Sequence, residues 1–168
     1  MQIGDIMIQY ITASKDDIEL LMQSRLEMLK VVNDLPADYV YDDAFVANSR
    51  AYFYNPNQTT ILAMDEDKVI GCATMCYIEI MPTFSHPTGK RAHLMNVYTN
   101  SQYRRQGIAS SLTSRLAVEI LNRGKVPFYC AAWCNIKSVR NALRSGFRPA
   151  WVEMMAKPCE MVDGMNQS

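Results

Sequence analysis

Residues 103–112 read Tyr-Arg-Arg-Gln-Gly-Ile-Ala-Ser-Ser-Leu, at the point where a strand pattern gives way to a helical one. Gly107 has no Cβ, so the main chain there can come close to a ligand. From Ile108 to about residue 121 the apolar spacing is helical, and the loop therefore opens onto a helix N-terminus. Unpaired N–H groups and the positive end of the helix dipole point outward at such a terminus. Arg104 and Arg105 place two cations at the mouth. They have two readings, loop solvation and phosphate contact, and their place beside Gly107 and a helix start favours the second. An anion, with a diphosphate-bearing molecule as the natural occupant, fits this combination of backbone donors and positive charge.

Several partner classes are disfavoured by the composition. Lys plus Arg and Asp plus Glu number 17 each, so the formal net charge is zero and no single-signed field recruits nucleic acid or an acidic membrane. Hydrophobic residues at 49% and charged residues at 20% suit one globular domain of 168 residues. No stretch approaches membrane-spanning length and no basic-then-apolar leader opens the chain, so a cytoplasmic location is the default expectation. The five cysteines (Cys72, Cys76, Cys130, Cys134, Cys159) include two i,i+4 pairs. On a strand that spacing puts both members on one face, it is not a zinc spacing, and buried reduced thiols are the expected state. No metal is expected. The 12 methionines read as core filling.

The elements that must position the loop follow from periodicity and caps. A strand is predicted at 7–12, then a helix over 16–32 capped by Ser14, with Asp16 and Asp17 in its first turn. A break at 33–38 contains Pro36, and a second helix covers 42–54. Strands at 59–64 and 69–80 form a hairpin across an acidic turn at 65–68, and 92–98 is a further strand. The helix from Ile108 ends near Gly124, a residue suited to the position after a helix. The run 126–133 is apolar almost throughout, which predicts a strand buried on both faces. Asn135 caps a short helix through residue 144, and 147–156 is a closing strand. Residues 158–168 are polar and read as a flexible tail. The fold class is therefore α/β (α+β), a mixed, largely antiparallel twisted sheet of six to seven strands with helices on both faces. The strands flanking the Gly107 helix should be parallel neighbours. A single domain spans 1–168, with its core at about 7–157.

Arg104-Arg105-Gln106-Gly107-Ile108-Ala109 resembles the pyrophosphate loop of the Gcn5-related N-acetyltransferases, Gln/Arg-x-x-Gly-x-Gly/Ala. The strand Leu94-Met95-Asn96-Val97-Tyr98 before it and the helix after it give the pattern its context. Asn135-x-x-Ser138 followed by Ser145-Gly146-Phe147 looks like the family's second cofactor segment, and Arg25-Leu26-Glu27-Met28-Leu29 is similar to its first helix. The likeness spans about 7–156.

By that resemblance, acetyl-CoA would lie in a V-shaped opening between the 92–98 and 126–133 strands. Its pantetheine arm would pair with backbone groups of Val97, Tyr98 and Thr99. Amides from Arg105 through Gln106, Gly107, Ile108 and Ala109 to Ser110 would hold the diphosphate, with Arg104 beside them. Asn135 and Ser138 would support the arm. The amide near Val97 would face the thioester carbonyl, where negative charge builds. The expected activity is transfer of acetyl from acetyl-CoA to a primary amine of a small molecule or peptide through a ternary complex. Dimers are common in the family, so a homodimer is one possibility that the chain leaves open.

Such a transfer needs a neutral amine, correct placement and an oxyanion donor. An alkylamine with a pKa of about 10.4 is mostly protonated at neutral pH, so a nearby proton acceptor is useful. His93, 11 positions before Arg104, is the first candidate base, the other reading being a histidine paired on the sheet surface. Glu79 on the neighbouring strand is the second, against a solvated hairpin carboxylate. Many family members carry a tyrosine as general acid where this chain has Ala142. Water, Tyr98 or Ser138 could serve instead. By the resemblance, the aromatic stretch from Tyr39 through Tyr41, Phe45, Tyr52 and Phe53 to Tyr54 would line one wall of the acceptor site with one or two rings, ordinary packing accounting for most of them. That missing tyrosine also leaves a second function open, a non-catalytic acetyl-CoA-binding sensor or interaction module.

Overall fold

The computed structural model describes residues 7–84, 86–132 and 134–150. Five strands form one sheet in the order β1-β2-β3-β4-β5: β1 Gln9–Thr12, β2 Gln58–Asp65, β3 Lys68–Glu79, β4 Lys90–Thr99 and β5 Val126–Tyr129. All neighbours are antiparallel except β4 and β5, which run parallel in the register Arg91↔Val126 to Leu94↔Tyr129. The segment between them contains α3, Ile108–Asn122, as the Gly107 helix requires. The remaining helices are α1 Ile18–Val32, α2 Asp43–Phe53 and α4 Ile136–Arg144.

Local chemistry starts and stops these elements. Ser14 accepts a hydrogen bond from the Asp16 amide at 3.2 Å, and the Asp17 carboxylate accepts from the Ser14 amide at 2.7 Å. The pair encloses a short 3-10 turn, Lys15–Asp17, that leads into α1. Asp42 caps α2 through the amides of Ala44 and Phe45 at 3.0 and 3.1 Å. Gly124 closes α3 with φ of 66°.

The sheet has an apolar layer on each face. Ile108, Leu112, Leu116 and Ile120, spaced four apart, bury one stripe of α3 on Ile61, Ala63, Ala73, Met75, Ala92 and Leu94. Each such large side chain contributes about 1.5–3 kcal/mol through burial. On the other face, Leu21, Met22 and Met28 of α1 and Phe53 of α2 cover Leu62, Met64, Cys72 and Tyr98. Within that layer the hydroxyls of Thr60 and Thr74 bond across β2 and β3 at 2.8 Å. Helices on both faces are thus observed.

Three expectations change. Five strands are found among the described residues rather than six to seven; no strand forms at 147–150, and 151–156, with the tail at 158–168, lie outside the described residues. β5 stops at Tyr129 and is only partly buried, Val126 being 40% exposed. It stands at the edge of the sheet, so its apolar run does not gain cover on both sides. Because β5 is short, Cys130 and Cys134 do not share a strand face; Cys72 is buried, Cys76 and Cys130 are half-buried and Cys134 is exposed. Cys159 and Trp133 lie outside the described residues. Among the described residues no helix is long and apolar enough to cross a membrane.

Candidate active site

β4 carries one residue too many for its partner. The register steps from Cys72↔Tyr98 to Thr74↔Met95, so two residues of β4, Asn96 and Val97, stand against Ala73 alone. Asn96 takes up the surplus with φ of 56°, the left-handed region that asparagine tolerates better than most residues. The bulge reverses the alternation of the strand. Ala92 and Leu94 face α3 before it; Val97 packs on that same layer after it, while Tyr98 turns into the α1 side.

The bulge coincides with a parting of the strands. β5 accompanies β4 as far as Leu94, whose carbonyl accepts from the Cys130 amide at 3.1 Å. From Met95 to Thr99 β4 continues without a strand on that side among the described residues. An open strand edge of this kind accepts an extended ligand as though it were another strand. Val97, Tyr98 and Thr99 lie on it.

The edge runs directly into the Gly107 loop. Asn100 caps a 3-10 turn, Ser101–Tyr103, accepting from the Gln102 amide at 3.0 Å. The Tyr103 hydroxyl donates to Asp65 at 2.6 Å and ties that turn to the β2–β3 hairpin. Arg104 donates from Nε to the Thr99 carbonyl at 3.3 Å, which folds its stem back along β4. Arg105 and Gly107 both have positive φ, 68° and 79°. The first bond of α3 is from the Ser111 amide to the Gly107 carbonyl at 2.9 Å, so the amides of Ile108, Ala109 and Ser110 are left to groups outside the helix. A Cβ at Gly107 would meet nothing within 4 Å. Within the chain itself, then, glycine is demanded by the backbone angle and not by crowding.

Behind the loop lies a polar network that the sequence did not reveal. The Ser110 hydroxyl donates to the Asn141 side-chain oxygen at 2.9 Å. The Asn141 amide group donates to Thr113 at 3.1 Å and to the Tyr129 hydroxyl at 3.4 Å. Tyr129 in turn bonds Ser138 at 3.0 Å. One asparagine thereby joins the first turns of α3, the end of β5 and α4. Asn135 accepts from the Ser138 amide at 3.1 Å and is the N-cap of α4. Ala142, on α4 itself, is buried, and a phenol reaches that helix from β5, Tyr129 bonding Ser138 and Asn141. The three-residue step from Ser138 to Asn141, one face of a helix, was the only available sequence signal.

The opposite face of β4 gathers different chemistry. His93 pairs across the strand with Cys76 and lies 3.2 Å from the Cys130 sulfur through Nδ1, its ring 5.7 Å from that of Phe128. Cys76 receives the Tyr52 hydroxyl at 2.6 Å. Burial raises the pKa of both groups and keeps them protonated. Arg25 of α1 reaches across from above, Nη1 donating to the Asn96 side-chain oxygen at 3.0 Å; the Asn96 amide group donates to Thr74 at 3.2 Å. Tyr41 stacks on Phe45 at 5.6 Å and donates its hydroxyl to the Leu26 carbonyl at 2.8 Å, so part of the aromatic stretch holds α1 and α2 together. Glu79 is not brought to this group. It is exposed opposite Lys90, three residues from His93 on β4, roughly 10 Å along the strand, and shares a face with Tyr77.

The arrangement combines an open strand edge, a loop with unpaired amides at a helix N-terminus and a sheet face bearing an imidazole. The sequence model of the acetyltransferase (GNAT) family matches residues 24–147. No curated protein matches the chain by sequence. Among solved structures, a predicted acetyltransferase with acetyl-CoA from Clostridium acetobutylicum superposes with a TM-score of 0.73 at 24% identity, over 89% of this chain and 96% of that one. A GCN5-related N-acetyltransferase from Ralstonia eutropha gives 0.67 at 21%, over 90% and 97%. An aminoglycoside acetyltransferase from an uncultured soil metagenomic sample, in complex with sisomicin, gives 0.71 at 14%, over 93% and 99%. At these identities the likeness establishes a shared fold.

Proposed function

This chain belongs to the acetyltransferase (GNAT) family, and we propose that it transfers the acetyl group of acetyl-CoA directly to a primary amine of a small molecule or peptide. It is an acyltransferase, built as one acetyltransferase domain. The observation that carries the reading is the continuity of the 95–99 strand edge with the Gly107 loop. A ligand with an amide-bearing arm and a diphosphate finds both of its partners in one uninterrupted stretch of chain.

Acetyl-CoA supplies the activated acetyl group. Val97, Tyr98 and Thr99 align its arm by backbone hydrogen bonds. The amides of Arg105, Gln106, Gly107, Ile108, Ala109 and Ser110, with the charge of Arg104 and Arg105, hold the diphosphate. The amide of Val97, next to the bulge, stabilises the negative charge that grows on the thioester oxygen. His93, on the face turned away from α3, accepts the proton of the attacking amine, directly or through water. The face and distance of Glu79 disfavour it for that task. Ser138 and Asn135 support the arm from α4. Tyr129, hydrogen-bonded to Ser138, is the hydroxyl assigned to return a proton to the departing thiolate, and a thiol with a pKa around 8.5 demands little help. No step needs a metal.

Two measurements on the purified protein test this: thermal stabilisation by acetyl-CoA, and release of free thiol with a panel of amines. Stabilisation with thiol release dependent on amine is expected. Stabilisation with no turnover on any amine would replace the transfer reading with a binding module.

A further inference from the structure

Among the described residues Arg25 forms no ion pair with a carboxylate. Its guanidinium lies partly beneath the surface between α1 and β4, and its one hydrogen bond among the described residues goes to Asn96. The ion pairs among those residues are Arg50–Glu19 and Arg123–Glu119, both elsewhere. The groups that feel its charge are Cys72, Cys76, Tyr41 and Tyr52. Burial pushes the Cys72 thiol up to about 11 and raises the others too, so all four are neutral near pH 7. A guanidinium has five N–H donors in a planar fork, and one of them is accounted for here. Desolvating an ion without a counter-charge is costly, and the cost shows as a lowered Arg25 pKa.

The position can be reached from outside. Tyr52 and Met95 beside it are 40% and 41% exposed, and Asn96 and Cys76 are half-buried. It also adjoins the place proposed for chemistry. Asn96 is the residue before Val97, and His93 lies three residues back, roughly 10 Å along the strand.

We propose that Arg25 binds a carboxylate on the acceptor, and that the acceptor is an amino acid or similar compound with its amine a few bonds from that carboxylate. This inference rests on the acyltransferase reading above. The fork of Arg25 matches a carboxylate in two parallel hydrogen bonds. One guanidinium among neutral neighbours balances one negative charge, which favours a carboxylate over a doubly charged phosphate. A short spacer places the amine between Arg25 and His93, facing the Val97 amide. Polycationic amines meet an uncompensated like charge in the same place and are disfavoured.

The test compares amino acids with their own primary amides and methyl esters as acceptors, by thiol release at fixed acetyl-CoA, with the polyamine spermidine as an unrelated cation. A kcat/KM at least tenfold higher for the acid than for its amide is expected. Arg25→Gln, which keeps a donor for Asn96, should bring that ratio towards one, chiefly through KM. A role confined to bracing the bulge would lower both acceptors alike and leave the ratio standing. Equal rates for acid and amide in the unaltered protein, or spermidine as the best acceptor, would overturn the inference while leaving acetyl transfer intact. Absence of thiol release with every amine would overturn acetyl transfer itself.

Discussion

The Ser110 hydroxyl, in the first turn of α3, donates to the side-chain oxygen of Asn141 on α4 at 2.9 Å. The bond joins the N-terminal end of one helix to the middle of another, 31 residues away in sequence. Asn141 occupies both halves of its amide in this way, since its NH2 group serves Thr113 and Tyr129. The orientation of the loop therefore depends on α4 being docked.

Asn141→Ala removes three hydrogen bonds at once and strands the hydroxyl of partly buried Ser110, while Tyr129 keeps its bond to Ser138. We expect a loss of about 1–3 kcal/mol in stability, together with a several-fold weaker affinity for acetyl-CoA. Thermal unfolding with and without acetyl-CoA reads both. An unchanged shift on adding acetyl-CoA would uncouple α4 from the loop.

Two substitutions at Gly107 separate backbone angle from charge. Gly107→Ala forces an L-residue to φ of 79° with nothing else in its way, and should cost about 1 kcal/mol while acetyl-CoA still stabilises the protein. Gly107→Glu adds bulk and a negative charge where the diphosphate is to sit, and should abolish that stabilisation. Retained affinity in the glutamate variant would show that the diphosphate is held elsewhere.

His93→Ala should lower kcat by ~10²-fold or more, within the range for a general base, with acetyl-CoA affinity nearly intact. The deficit should shrink at the acidic end of the pH–rate profile, where a protonated imidazole cannot accept the proton, and be fullest where the ring is neutral. Parallel profiles for the two proteins would remove His93 from proton transfer.

Cys72 makes a pH prediction. Its thiol is wholly buried and its pKa raised from 9.0 to about 11, chiefly by desolvation. A raised folded-state pKa stabilises the protein below the unfolded value, and that contribution is lost as pH climbs through the folded one. Stability should therefore fall between about pH 9 and 11, and less so in Cys72→Ala measured against its own neutral-pH value. With alkylating reagents at pH 8, exposed Cys134 should react first among the described cysteines and Cys72 only on unfolding. Rapid labelling of Cys72 in the folded protein would contradict its burial.

What could be read in advance were features written in consecutive residues. The Gly107 loop, the Ser14 cap, the end of α3 at Gly124 and the parallel pairing of β4 with β5 each have a local signature. The bulge has none. Residues 92–98 alternate plausibly as one unbroken strand, and that reading sends Asn96 to the α3 face instead of towards Arg25. Nothing local marks Asn96 as left-handed, because glycine is the usual sign and asparagine an uncommon one. The Asn141 network and the uncompensated charge of Arg25 depend on which elements meet, which spacing along the chain does not encode. The apolar run at 126–133 misled in the same way, since burial of a strand is set by its neighbours and β5 has one on one side only.

The extra residue in β4 divides a single strand into two independently tunable halves. On the proposed function, the side chains opposite α3 up to Met95 would serve whatever molecule receives the acyl group, and the backbone beyond Asn96 would serve the carrier. Under the proposed transfer, sequence drift upstream of the kink would alter preference for the recipient without disturbing the grip downstream, whereas straightening the kink with its extra residue retained would exchange the environments of Val97 and Tyr98 and spoil both.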